Sequence, residues 1–135
     1  HRQQSSWQCT GGCVLMADGG DQLPPAALGD APLPKSFAAV AFFADKIFVL
    51  EPSAYRVCRR NPATGVVERC WSFAEEALTE ARRYAEPYGN AEALWVDAEG
   101  AWIGVDNNGK ARGDGEKRPI VWRFAAPDGG WGAKP

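Results

Sequence analysis

The oxygen-bearing side chains of Glu92, Asp106, Asn107 and Asn108 are the ones in this sequence best equipped for chemistry. Carboxylates and amide carbonyls are hard ligands, suited to Ca²⁺ or Mg²⁺ rather than to a thiophilic metal. A carboxylate pair such as Glu92 and Asp106 also suits general acid–base work if folding brings the two together. The run Asp106-Asn107-Asn108-Gly109-Lys110 has the outline of a calcium loop. Lys110 stands at its fifth position and Lys117 at its twelfth, where an EF-hand needs oxygen ligands, so it is not an EF-hand. The same run also reads as a turn, because Asn-Asn-Gly tolerates left-handed φ and Asp106 can cap the loop. Both readings stand at this point.

Arg112, Asp114, Glu116, Lys117 and Arg118 crowd one stretch. They suit either a clamp for an anionic substrate or a surface ion-pair network, whose members individually contribute little. Serine-nucleophile chemistry lacks its parts: there is no G-x-S-x-G, and the single histidine is His1. Gly11-Gly12 and Gly19-Gly20 match neither a phosphate loop nor a dinucleotide fingerprint. Six tryptophans are many for this length. Trp95 and Trp102 sit in strand-like runs and are expected in the core. Trp7 and Trp131 lie among serines or glycines, where they fold back on their own sheet, anchor a partner chain or stack on a sugar.

With 135 residues, 45% hydrophobic and 24% charged, the chain has the balance of one globular domain. A net charge of −2, with acids interrupting the Lys110–Arg123 cluster, argues against nucleic acid as a partner. No apolar run approaches the roughly 20 residues of a membrane span, and none has the layout of a signal peptide. The four cysteines form local pairs, Cys9/Cys13 and Cys58/Cys70. Neither spacing is C-x-x-C and only one histidine is present, so zinc is not expected. Two disulfides would place the protein in the periplasm or outside the cell; four buried thiols would not.

These residues need a scaffold, and the pattern for it is mainly β. Residues 1–35 read as an irregular segment, with a short strand near Cys13–Ala17 and a Gly/Pro-rich loop after it. Strands follow at Ala38–Phe43, Ile47–Leu50, Tyr55–Arg60 and Val66–Trp71, with turns at Asp45-Lys46 and at Asn61–Gly65. Centring the second turn on Ala63 sets Cys58 opposite about Glu68 and Cys70 one diagonal step away, a feasible disulfide. Ser72 and Glu75 suit a capping box, and the apolar spacing of Phe73, Ala77, Leu78, Ala81, Tyr84 and Ala85 predicts an amphipathic helix over 73–85. Ala91–Val96, the turn Asp97–Gly100, Ala101–Val105 and Pro119–Phe124 form three further strands.

The two β stretches, 36–72 and 90–125, repeat one layout. Ile47-Phe48-Val49-Leu50-Glu51 matches Trp102-Ile103-Gly104-Val105-Asp106, and Arg56-Val57-Cys58-Arg59 matches Val121-Trp122-Arg123-Phe124. Meanders of this kind, with a turn such as Asn61-Pro62-Ala63-Thr64-Gly65 between the last two strands, resemble β-propeller blades. The chain is similar to exported bacterial propeller families: the phytase-related esterase-like family, the SdiA-regulated proteins and the SMP-30/gluconolactonase group. The resemblance implies two four-stranded antiparallel blades over 36–135, linked by the helix. Asn90-Ala91-Glu92 would start an innermost strand and Asp106-Asn107-Asn108 would end the next, facing the central channel. Glu51 holds the equivalent place in the first copy.

Two blades do not close a propeller, which takes about four to eight. Further chain segments would therefore complete it, and the chain is expected to be the C-terminal part of a longer, exported polypeptide. Closure as a small sandwich or barrel is the other architecture. On the propeller reading, Asn90, Glu92, Asp106, Asn107, Asn108 and Arg112 bind a small polar ligand, and Glu92, Asp106 and Asn107 bind Ca²⁺ or Mg²⁺. Hydrolysis of an ester is the reaction such families suggest. The alternative function is a non-catalytic, disulfide-stabilised interaction or carbohydrate-binding module.

Overall fold

The computed structural model describes Leu15–Met16, residues 37–86 and residues 90–132. Cys9, Cys13, Trp7 and His1 lie outside the described residues. The fold is mainly β, in two antiparallel sheets. The first has the order β1-β5-β4-β3-β2, from β1 (Leu15–Met16), β2 (Ala39–Phe43), β3 (Lys46–Glu51), β4 (Arg56–Arg60) and β5 (Val67–Ser72). The second runs β6-β7-β8, from β6 (Ala91–Val96), β7 (Gly100–Val105) and β8 (Ile120–Ala125). The first meander thus has its expected four strands plus the short β1, whereas the second has three among the described residues.

Alternation decides which residues the sheets bury. Phe48, Leu50, Val57 and Trp71 from the first sheet share one core with Val96, Ala101, Ile103 and Phe124 from the second. β6 lies against β2 and β3. Trp131 folds back into this core. Its ring stands edge-on to Trp71 at 5.0 Å and to Phe48 at 5.6 Å. Its indole N–H donates to the Asp97 carbonyl at 2.7 Å.

Local chemistry accounts for the turns. Asn61 Oδ1 accepts from the amides of Ala63 and Thr64, and Gly65 supplies φ 74°, closing the β4–β5 connection. The β2–β3 turn uses Ala44 and Asp45, at φ 51° and 60°, and not the expected Asp45-Lys46. That is the twist a two-residue hairpin needs. Between β3 and β4, a 3₁₀ turn over Pro52–Ala54 lets buried Glu51 meet Arg56 at 2.9 Å and Arg60 at 3.6 Å. Glu51 is therefore the centre of a buried ion pair rather than an open acid.

Two further expectations are corrected. Cys58 stands directly opposite Cys70, not Glu68, and the two are bonded. Two one-residue offsets bring Cys70 to face Cys58: Arg60 pairs with Val67, which centres the turn between Ala63 and Thr64, and a register shift between Arg59 and Arg60 leaves Glu68 without a ladder partner. Glu68 instead receives Lys46 at 2.8 Å and Arg59 at 3.0 Å. The helix is also much shorter than the expected 73–85: α1 covers only Ala74–Ala77. Ser72 Oγ still accepts from the Ala74 amide at 3.1 Å. Beyond Leu78, however, the backbone pairs with the loop between β7 and β8. The Gly113 amide donates to the Arg83 carbonyl at 3.0 Å, that of Asp114 to the Ala81 carbonyl at 2.7 Å, and Tyr84 forms a bridge with Arg112. These tertiary bonds replace the helical ones. Only glycine fits at 113, where a Cβ would lie 2.0 Å from the Glu80 carbonyl oxygen.

The disulfide spans a sequence separation of 12 residues. Chain-entropy reasoning for a loop of that size gives a contribution of about 3 kcal/mol. The double change Cys58→Ala/Cys70→Ala should lower the free energy of unfolding in urea by about 2–3 kcal/mol. A loss under about 0.5 kcal/mol would show that the core alone sets the β4–β5 register.

Candidate functional site

The outer face of the second sheet presents three rows of side chains. Ladder partners Trp95, Trp102 and Arg123 form one row, and Ala93, Gly104 and Val121 form the next. Beyond them stand Glu92 and Asp106. A register shift between Ala91 and Ala93 makes Glu92 the extra residue of a bulge, the device by which strands re-aim a side chain. Asp106 follows β7; its amide donates to the Asn90 carbonyl at 2.8 Å, and its Oδ1 accepts from the Asn108 amide at 3.0 Å. Both carboxylates line one open groove of about 330 Å³, floored by Ala93, Gly104 and Val121. The two carboxylates thus share one groove. Neither acid has an ion-pair partner among the described residues.

The remaining candidates go elsewhere. Asn107 is 3% exposed. Its Nδ2 donates to the carbonyls of Lys110 and Lys117 and its Oδ1 accepts from the Gly109 amide at 3.2 Å, so its amide clamps the loop. Asn108 is exposed with φ 52°, at the loop's left-handed corner. Asn90 is half-buried beside a different, small cleft with Tyr84 and Trp122. Arg112 forks onto Asp114 at 2.7 Å and, with Arg83, lines a third cleft of about 310 Å³. The loop charges largely pair among themselves, Arg118 with Glu116 as well as Arg112 with Asp114. No group of three or more His, Cys, Asp or Glu residues arranged to hold a metal occurs among the described residues.

Trp95 and Trp102 depart from the core places expected of them, whereas Trp131 folds back onto the sheets, as one of its readings had it. Trp95 is 63% exposed and Trp102 half-buried, whereas Trp131 is 3% exposed. Leu94 and Val96 take the inward places on β6, which sends Trp95 out. Its indole N–H donates to Asp97 Oδ2 at 3.1 Å, and the Arg123 guanidinium lies 5.0 Å from the Trp102 ring centroid. The signal available in the sequence was the alternation Leu94/Val96 against Ala93/Trp95, but both sets are apolar and the alternation does not say which faces in.

Electrostatics are strongest at the turns. Partial desolvation raises the Asp97 pKa, but the Trp95 indole, the amides of Glu99 and Gly100 and the charge of Arg123 together bring it below the ordinary value. The side chain of Arg118, seconded by its amide, lowers Glu116 to about 2. Both carboxyls should titrate below their ordinary ranges in a ¹³C NMR pH series. Because their folded pKa values are depressed, the stability they add is present above the unfolded pKa values, near 4–4.5. It is lost as pH falls through the folded values, toward about 2 for Glu116. A Glu116 midpoint at or above 4.5 would contradict the Arg118 contact.

No family model, curated protein or solved structure matches the chain.

Proposed function

We propose that the chain is a ligand-binding piece of a larger, exported β-propeller and that its small polar ligand occupies the groove at Glu92 and Asp106. The observation that carries this reading is the convergence on one groove of those two carboxylates, neither of them in an ion pair among the described residues. The first strands of the two meanders, β2 and β6, are in contact across the two sheets, as inner strands of neighbouring blades are. Val40 and Phe42 on one outer face and Trp95 and Val121 on the other remain exposed, which further blades stacked on either side would cover. The Cys58–Cys70 disulfide fits an oxidising compartment, periplasmic or extracellular. No helix among the described residues is long and apolar enough to cross a membrane.

Glu92 and Asp106 could pass a proton to or from a bound ester, but the described residues that line the groove include no nucleophile–base pair, so binding is the better-supported role. Ca²⁺ or Mg²⁺ would find two carboxylates there, with Asn107 turned into its own loop; water would have to supply the rest of a six- to eight-oxygen shell. A second reading, a non-catalytic carbohydrate-binding or interaction module, is favoured by exposed Trp95.

Substitutions separate the two. Under the propeller reading, Glu92→Gln and Asp106→Asn each weaken ligand binding at least tenfold in calorimetric titrations, with melting temperatures shifted by no more than about 2 °C. Under the module reading, both are neutral and Trp95→Ala abolishes binding. The propeller assignment has its own check: native mass spectrometry of the material from its source should show additional blade-bearing segments, and a lone 14.6 kDa species would count against it.

A further inference from the structure

We propose that the groove of the second sheet receives the side chain of a lysine or arginine from an extended peptide. This rests on the groove reading above and names the ligand class. Three features fit a long cationic side chain. The floor of Ala93, Gly104 and Val121 is apolar and suits a methylene stem. Two carboxylates without an ion-pair partner among the described residues line the same groove, suited to an ammonium or guanidinium head. The floor is also deepened by a missing side chain. A Cβ at Gly104 would lie 3.0 Å from the Ala93 Cβ, so any larger residue there fills the space.

The neighbouring row extends the match. Arg123 already covers the Trp102 ring at 5.0 Å, which shows that this face accepts a guanidinium over an indole. Trp95 is 63% exposed, with its ring orientation held by Asp97. The Trp95 row lies two residues along the strands from the Ala93 row. Two residues of an extended peptide advance about 6.6 Å, the same step. A peptide with one basic residue in the groove therefore places the residue two positions on over Trp95. Charge favours this occupant: Glu92, Asp106 and Asp97 outnumber Arg123 on the face.

The test uses the whole chain, amide NMR and the blocked tripeptide acetyl-Gly-Arg-Gly-amide. Its neutral counterpart carries citrulline in place of arginine, with nearly the same shape and no charge. The arginine peptide should shift the amides of Gly104, Asp106 and Val121 saturably and bind at least tenfold more tightly than the citrulline peptide. Glu92→Gln or Asp106→Asn should remove that preference, and Gly104→Val should block both peptides. Equal affinity for the two peptides, or an arginine preference that survives both carboxylate changes, overturns the inference. Calcium chloride and glucose are titrated in parallel. If either binds at Glu92 and Asp106 while the arginine peptide does not, the cationic occupant is wrong and the polar-ligand reading stands. If none of the four probes perturbs the groove, both fall.

Discussion

Trp131 is the residue on which the arrangement of the two sheets depends. Its ring is wedged edge-on against Phe48 and Trp71 of the first sheet, while its indole N–H is held by the Asp97 carbonyl at the β6–β7 turn. Its own carbonyl accepts from Arg59 on β4. One side chain near the end of the described chain thus ties together strands separated by dozens of residues. Aromatic edge contacts add about 0.5–1.5 kcal/mol each beyond the area they bury, and the buried N–H would be costly without its acceptor. Trp71 is enclosed further by the guanidinium groups of Arg59 and Arg69, at 6.0 and 5.7 Å from its ring.

That shared core decides what the second sheet can offer outward. Once Leu94, Val96, Ile103 and Phe124 are committed inward, parity leaves Trp95, Trp102, Arg123 and Val121 on the other face. The bulge at Glu92 then adds an acid to that face which strict alternation from Val96 would have turned inward. The groove is a by-product of the core plus one inserted residue. Nothing in it requires a mobile loop, because Asp106 is bonded to Asn90 and Asn108.

Much of the strand layout was legible, since seven expected strands from Ala38 onward fall within a residue or two of the observed ones. Alternating apolar runs bounded by Asn-Pro-Ala-Thr-Gly or Asp-Ala-Glu-Gly leave little freedom. What depended on an inserted residue was not legible. Glu68 changed the cysteine register, and Glu92 changed the face of an acid; a bulge has no period to detect. The helix failed for a different reason. Its spacing was right for Phe73, Ala77 and Leu78, which are buried, but Ala81 and Arg83 found backbone partners in a loop some thirty residues later. Residue type marked Glu92 and Asp106 as a pair only on condition that folding joined them, which no local pattern reports, and the roles of Asn107 and Arg112 turned on local hydrogen bonds that composition does not reveal.

The backbone bonds between residues 81–84 and 112–114 have a further consequence. Asn107 closes the excursion between β7 and β8 by gripping its two ends at Lys110 and Lys117, and Gly113 and Asp114 stitch its middle to the segment that precedes β6. Neither excursion can open without breaking bonds of the other. The two therefore form one cooperative unit of partial unfolding, and their interior amides should exchange with solvent at a common free energy below that of the core strands. Asp106 stands where the chain passes from β7 into that unit, so the acid end of the groove is tied to a stretch of chain reaching back to Ala81.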